Sequence, residues 1–214
     1  MTGTRGLFIV FEGGDGVGKT TQVARLCSWL HQQGREVVRT FEPGDSAVGA
    51  RIRQIVLDPA TGGLSPRTEA LLYAADKAQH LFEVVNPALD LGAVVVCDRY
   101  VDSMLAYQGA GRAQPVDDVE RIARWATADL LPDLTVVLDV EPDRAVEEKS
   151  DKDRVEAAGR VFHEHVRHFF LELAERDPSR YLVLPARESR DEIAARVADR
   201  VSALLSVRTG RLNA

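Results

Sequence analysis

The sequence predicts an α/β fold in which a parallel sheet is covered by helices on both faces. Three observations lead there. Five short runs rich in apolar and β-branched residues, at 7–11, 36–41, 93–97, 134–140 and 180–184, alternate with longer stretches of helical periodicity, the pattern of repeated βαβ units. Three of the runs are almost wholly apolar, as strands buried on both faces require. The first run feeds straight into a glycine cluster that ends in Lys-Thr and then into a helical pattern.

The run 7–11 is the first strand. Over 19–33, Val23, Leu26, Cys27 and Leu30 recur at i, i+3, i+4 and i+7, and Gly34 stands where a helix would stop. The run 36–41 is a second strand, and 93–97 a third that ends in Asp98-Arg99-Tyr100. The run 134–140 ends near Asp139. After the last strand, Ser189-Arg190-Asp191-Glu192 reads as a capping box, and Ile193, Val197, Val201 and Leu204 trace one face of the final helix. Two stretches read as loops over a site, 109–115 and the highly charged 147–159, and 207–214 reads as a frayed tail.

The chain of 214 residues suits a single domain with a sizeable core. A net charge of −6 argues against a general nucleic-acid binder, though a local cluster of Lys and Arg can still hold a small anion. Two cysteines, Cys27 and Cys97, show no disulfide or zinc spacing and read as small buried apolar residues. His163, His165 and His168 share no helical face well and read as surface residues, not a metal site. No apolar run is long enough for a membrane span and residues 1–6 make no signal peptide, so a cytoplasmic location is expected.

The loop Gly13-Gly14-Asp15-Gly16-Val17-Gly18-Lys19-Thr20-Thr21 contains the complete Walker A pattern, with a strand before it and a helix after it. Glycines let backbone N–H groups turn inward around phosphate oxygens, and the helix N-terminus adds its positive end. Lys19 is expected on the β- and γ-phosphates of ATP, and the Thr20 hydroxyl on Mg²⁺. The loop alone leaves open hydrolysis, work in a machine, or transfer. A switch GTPase would carry an Asn-Lys-x-Asp base reader, and the sequence has none. Transfer needs a second anion site facing the loop. At the carboxyl end of the third strand, Asp98 is placed to order magnesium and Arg99 to clamp a phosphate, facing the acceptor and not the loop. Asp139 competes for the metal role and ranks lower.

These residues carry a resemblance to the thymidylate kinase family over nearly the whole chain. The matching pieces are FEGGDGVGKTTQ at 11–22, EPG at 42–44, TEALLYAADKAQH at 68–80, CDRYVDSMLAYQGAGR at 97–112, LPDLTVVLDVEP at 131–142 and DRVE at 153–156. The resemblance implies a P-loop NTP hydrolase-type fold, with a five-stranded parallel sheet and a short mobile lid at about 147–159. It implies a homodimer and ATP-dependent phosphorylation of dTMP to dTDP. It places Asp15 at the acceptor's sugar and near magnesium, Glu42 beside the acceptor, and Arg53 and Arg99 on its 5′-phosphate. Tyr73 would stack on the base, Gln108 would close over it, and Glu156 would lie beside the sugar. Lys19, Arg99, Arg154 and Asp15 would form the catalytic set, Arg154 reaching in from the lid.

The chain departs from the family pattern at four places. Phe41 and Asp45 replace an arginine and a glycine around the Glu-Pro-Gly segment. Lys77 replaces an arginine that reads the base, Met104 replaces a small polar residue near the base edge, and Glu148 stands where the lid commonly has an arginine. Lys77 and Met104 leave open a different pyrimidine or modified nucleoside monophosphate as acceptor, because an apolar group cannot replace a hydrogen-bond reader. The departures also leave open a nucleotide-binding protein with little turnover.

Overall fold

A computed structural model describes residues 5–141, 155 and 159–210. Five parallel strands, β1 (Phe8–Gly13), β2 (Val37–Phe41), β3 (Val94–Asp98), β4 (Leu134–Asp139) and β5 (Tyr181–Pro185), form one sheet in the order β2-β3-β1-β4-β5. The expected α/β class and its five-stranded parallel sheet are thus observed. β1, β3 and β4, the most apolar strands, are central and nearly wholly buried. The mixed sequences of β2 and β5 occupy the two edges, where part of each strand meets solvent. Several of the strands run one or two residues beyond the apolar runs, because their carboxyl ends carry Glu12-Gly13, Asp98 and Pro185. The hydrophobic pattern breaks there although the ladder continues.

Helices α1 (Lys19–Gln32) and α8 (Arg190–Gly210) cover one face. Val23, Leu26, Cys27 and Leu30 of α1 bury against Ile9, Phe11, Val96 and Leu138, together with Ile193, Val197 and Val201 of α8. The capping box is formed: Glu192 N–H donates to Ser189 Oγ at 3.2 Å, and Ser189 N–H donates to Glu192 Oε2 at 3.0 Å. α8 continues to Gly210, so the first part of the expected tail is helical. On the other face lie α2 (Ala47–Leu57), α3 (Pro66–His80), α4 (Asn86–Asp90), α5 (Val101–Met104), α6 (Val116–Thr127) and α7 (Arg160–Arg176). Ser46 and Ser65 cap α2 and α3 through their side-chain oxygens. Cys27 and Cys97 are buried and free, as expected. Among the described residues, no helix is long and apolar enough to cross a membrane.

The loop expected at 109–115 is a correction. α5 runs on into a wide π-helical turn at Leu105–Gly111, in which Tyr107, Gln108 and Gly109 are buried. A side chain at Gly111 would come within 2.5 Å of the Phe162 ring, so glycine lets this segment pack directly beneath α7. Only residues 112–115 remain outside regular structure. The lid expectation at 147–159, with Glu148, Arg154 and Glu156, falls almost wholly outside the described residues.

Candidate active site

The site is built at the carboxyl ends of β1 and β3, where ligands gather in parallel α/β sheets. β1 ends in Gly13 at φ 128°, a conformation open to glycine. A Cβ there would lie 2.4 Å from the Leu138 carbonyl oxygen on the neighbouring strand. The chain then turns through the loop and enters α1 at Gly18, whose φ of 97° is again left-handed, and no side chain caps that first turn. The helix start therefore keeps its backbone donors for an anion.

Lys19 is buried, and its Nζ donates to the carbonyls of Gly13 at 3.1 Å and Gly14 at 2.5 Å. Burial and the nearby Arg99 guanidinium pull the ammonium down to about 8. Thr20 and Thr21 are exposed at the mouth of the loop.

β1 and β3 pair so that Phe11 lies opposite Asp98. This register brings Thr20 Oγ1 to Asp98 Oδ2, the hydroxyl donating at 2.8 Å. Two adjacent hard oxygen donors beside a phosphate loop suit Mg²⁺. Asp139, the competing candidate, is taken up by Arg167, which donates to its two oxygens at 2.7 and 3.0 Å.

Immediately after β3, Arg99 has φ 73°, an unusual conformation for a non-glycine residue and a mark of strain held by its surroundings. Its guanidinium donates to the Gly13 carbonyl at 3.0 Å, to Ser103 Oγ at 2.9 Å and to Asp15 at 2.5 Å, and it lies 5.1 Å from the centre of the Tyr107 ring. The sequence placed Arg99 on the acceptor side alone. In the structure it also grips the phosphate loop, because the strained turn folds the side chain back over β1. Burial would raise the Asp15 carboxyl, but Arg99 and Lys19 hold it down at about 2. Tyr107 also donates to Asp15, at 3.1 Å.

Asp15, Glu42, Arg53, Tyr73, Lys77, Arg99, Met104 and Gln108 line one cavity, so residues singled out far apart in the sequence converge. Met104 is buried and offers an apolar wall. Gln108 Nε2 donates to Glu69 Oε1 at 3.0 Å, an oxygen that also accepts from Arg112 at 3.1 Å. Arg53 donates to the Pro43 carbonyl at 2.7 Å and lies beside the exposed Phe41 ring, 5.7 Å from its centre. The buried ammonium of Lys77 forms an ion pair with Glu42. A second cavity runs along the other side of the loop, from Gly13, Gly14, Gly16 and Val17 to Asp139, Glu141 and Arg167. His163 lines it too and is half-buried, not a surface residue as its spacing suggested. Among the described residues, no cluster of His, Cys, Asp and Glu is arranged to hold a metal without further help.

Sequence reasoning missed three buried polar groups. Glu12 accepts from the N–H groups of Tyr100 at 2.8 Å and Ser103 at 3.1 Å and from Ser103 Oγ at 2.5 Å, tying β1 to the turn that holds Arg99. Burial, then Asp102, push its carboxyl up to about 7. A glutamate between Phe11 and Gly13, inside an otherwise apolar strand, was the available signal. His80 and Asp76, both fully buried on α3, gave none.

A family model for thymidylate kinase matches residues 11–197, which is most of the chain and contains nearly every residue described above. The chain belongs to the thymidylate kinase family. It is 57% identical over 201 residues to the thymidylate kinase of Cutibacterium acnes, covering 94% of this chain and 98% of the relative. It is 46% identical to that of Deinococcus radiodurans, covering 93% and 98%. In three dimensions it resembles the crystal structure of thymidylate kinase from Ehrlichia chaffeensis with a TM-score of 0.76 at 27% identity, over 92% of this chain and 99% of that one.

Proposed function

We propose that this member of the thymidylate kinase family transfers the γ-phosphoryl group of ATP to the 5′-phosphate of dTMP, giving dTDP and ADP. The observation that carries the reading is the meeting of phosphate loop and cavity at Asp15 and Arg99, which belong to both. ATP binds with its phosphates on the loop 13–18 and on Lys19. The acceptor lies in this cavity, with its phosphate toward Arg99 and Arg53 and its base between Tyr73, Met104 and Gln108. An acceptor phosphate oxygen forms the new P–O bond as the bond to the ADP oxygen breaks, so no covalent protein intermediate is needed. Two anionic substrates repel, and Lys19, Arg99 and Arg53 supply the charge that lets them approach. Thr20 and Asp98 would hold Mg²⁺, which when bound neutralises charge on the phosphates. Arg154 and Glu156, outside the described residues, belong to the same proposal as lid groups.

The test is product analysis. With ATP, dTMP and magnesium, dTDP and ADP should form one for one, and chelation of magnesium should stop both. ADP formed without dTDP would mean hydrolysis and would remove the transferase reading.

Lys19 gives a second expected result. A lysine held at about 8 is charged below that pH and neutral above it. ATP affinity should therefore be constant to about pH 8 and then weaken, by no more than about tenfold per pH unit. Calorimetry at pH 6.5–9.5 checks this, and proton uptake should accompany binding at the alkaline end.

We also propose a homodimer in the cytoplasm. α2 and α3 pack together and leave Val48, Ile55 and Leu71 exposed, apolar side chains that association would cover. Sedimentation at twice the chain's mass is the expected result.

A further inference from the structure

We propose that Asp45 and Thr40 are positioning residues that hold buried His80 as a doubly protonated imidazolium against Glu42, fixing that carboxylate at the wall of the acceptor cavity. Thr40 Oγ1 lies 2.5 Å from Asp45 Oδ2 and 2.5 Å from His80 Nε2, and His80 Nδ1 lies 2.8 Å from Glu42 Oε1. A carboxylate only accepts, and a hydroxyl has one proton. The Thr40 proton therefore goes to Asp45, and the contact with His80 must be made by a proton on Nε2. Glu42 is likewise an acceptor, so the contact at Nδ1 needs a proton on that nitrogen. Both ring nitrogens carry protons, and the ring is a cation.

Charge favours the same state. The titratable and charged groups around this cluster are Glu42 and Asp45 from the segment after β2, Arg53 from α2, Asp76 and Lys77 from α3, Cys97, Asp98, Arg99 and Tyr100 at the end of β3, and Glu12 from β1. Burial would raise Glu42, but the buried Lys77 ammonium holds it low, so it stays ionised. Burial, then Glu42, push Asp76 up to about 6, and burial keeps the Cys97 thiol protonated. Glu42 meets Lys77 through Oε2, and its Oε1 would face an uncharged ring if His80 were neutral. Buried charge without a counter-charge is costly, and an imidazolium supplies one. Glu42 then has an ammonium on Oε2 and an imidazolium on Oε1, which leaves its carboxylate one orientation.

In Asp45→Gly the Thr40 proton is released to Nε2. The ring can then be neutral with its remaining proton on Nδ1, and Glu42 loses a charge-assisted partner. Its consequence for the acceptor rests on the reading of the cavity given above.

The experiment is ¹⁵N NMR of the full chain labelled at histidine, without substrate, with His80 assigned by the change in Thr40→Val. Two protonated ring nitrogens at neutral pH are expected in the wild type, and one unprotonated nitrogen in Asp45→Gly. A neutral wild-type ring, or a ring unchanged by Asp45→Gly, overturns the relay. In kinetics, Asp45→Gly should raise KM for dTMP by roughly tenfold, the scale of one charge-assisted hydrogen bond, with kcat nearly kept. An unchanged KM in an active Asp45→Gly enzyme overturns the positioning role. Absence of dTMP kinase activity in the wild type would instead strike the proposed function, and leaves the spectrum to decide the relay.

Discussion

Arg99→Ala should lower kcat/KM for dTMP by about 10³-fold or more, the scale set by removing an arginine that meets transferring phosphoryl charge. It should also weaken ATP binding. Arg99 donates to the Gly13 carbonyl and to Asp15, and so helps to hold the phosphate loop in its shape. Without it Asp15 keeps Lys19 and Tyr107 but loses its strongest counter-charge, and its carboxyl should climb from about 2. Steady-state kinetics and calorimetry with ATP check both halves. Loss of turnover with ATP affinity untouched would place Arg99 on the acceptor alone. Arg99→Lys should recover only part of the activity, because an ammonium cannot span Gly13, Asp15 and Ser103 at once.

Glu12→Leu should destabilise the fold by about 3 kcal/mol or more, since it strands the N–H groups of Tyr100 and Ser103 and the Ser103 hydroxyl in a buried place. Activity should fall with it, because those donors shape the strained turn that aims Arg99. Glu12→Gln keeps an oxygen acceptor and should cost less, and it isolates a pH effect. The Glu12 carboxyl is raised from 4.5 to about 7 in the folded protein. The folded state therefore binds the proton more tightly than the unfolded state. Its contribution is fully present below about 4.5 and is lost as pH rises toward 7, a change on the order of 3 kcal/mol. The stability difference between wild type and Glu12→Gln should move in the wild type's disfavour across that window. Denaturant unfolding at pH 4.5, 6 and 7.5 measures it, and a difference independent of pH would mean that Glu12 is not held protonated.

Much of this was legible in sequence. Periodicity located α1 and α8, the capping box at Ser189 and Glu192 formed as read, and the apolar runs found every strand. The Walker pattern and the Asp98-Arg99-Tyr100 strand end brought the eight cavity residues to one place because parallel sheets gather their carboxyl ends. What stayed hidden depends on partners far apart in the chain. Lys77 read as a base reader, and nothing local announced that its ammonium is bound to Glu42, 35 residues away. His80 joins Thr40 and Glu42 across similar gaps. Asp45 looked like an unexplained departure from the family and is the residue that takes the Thr40 proton. The segment 109–115 read as a loop because glycines usually punctuate. Gly111 is there for close packing against Phe162. No local signal separates those two uses of glycine.

On the proposed reading this chain phosphorylates dTMP in the cavity walled by Tyr73, Met104 and Gln108. The most direct measurement is kcat/KM over a panel of nucleoside 5′-monophosphates, at saturating ATP and magnesium. We expect dTMP to exceed each other natural monophosphate by at least about tenfold, the discrimination that about 1.4 kcal/mol of differential binding supplies. Another monophosphate at the top of the panel, or no ADP release above background with any of them, would contradict it.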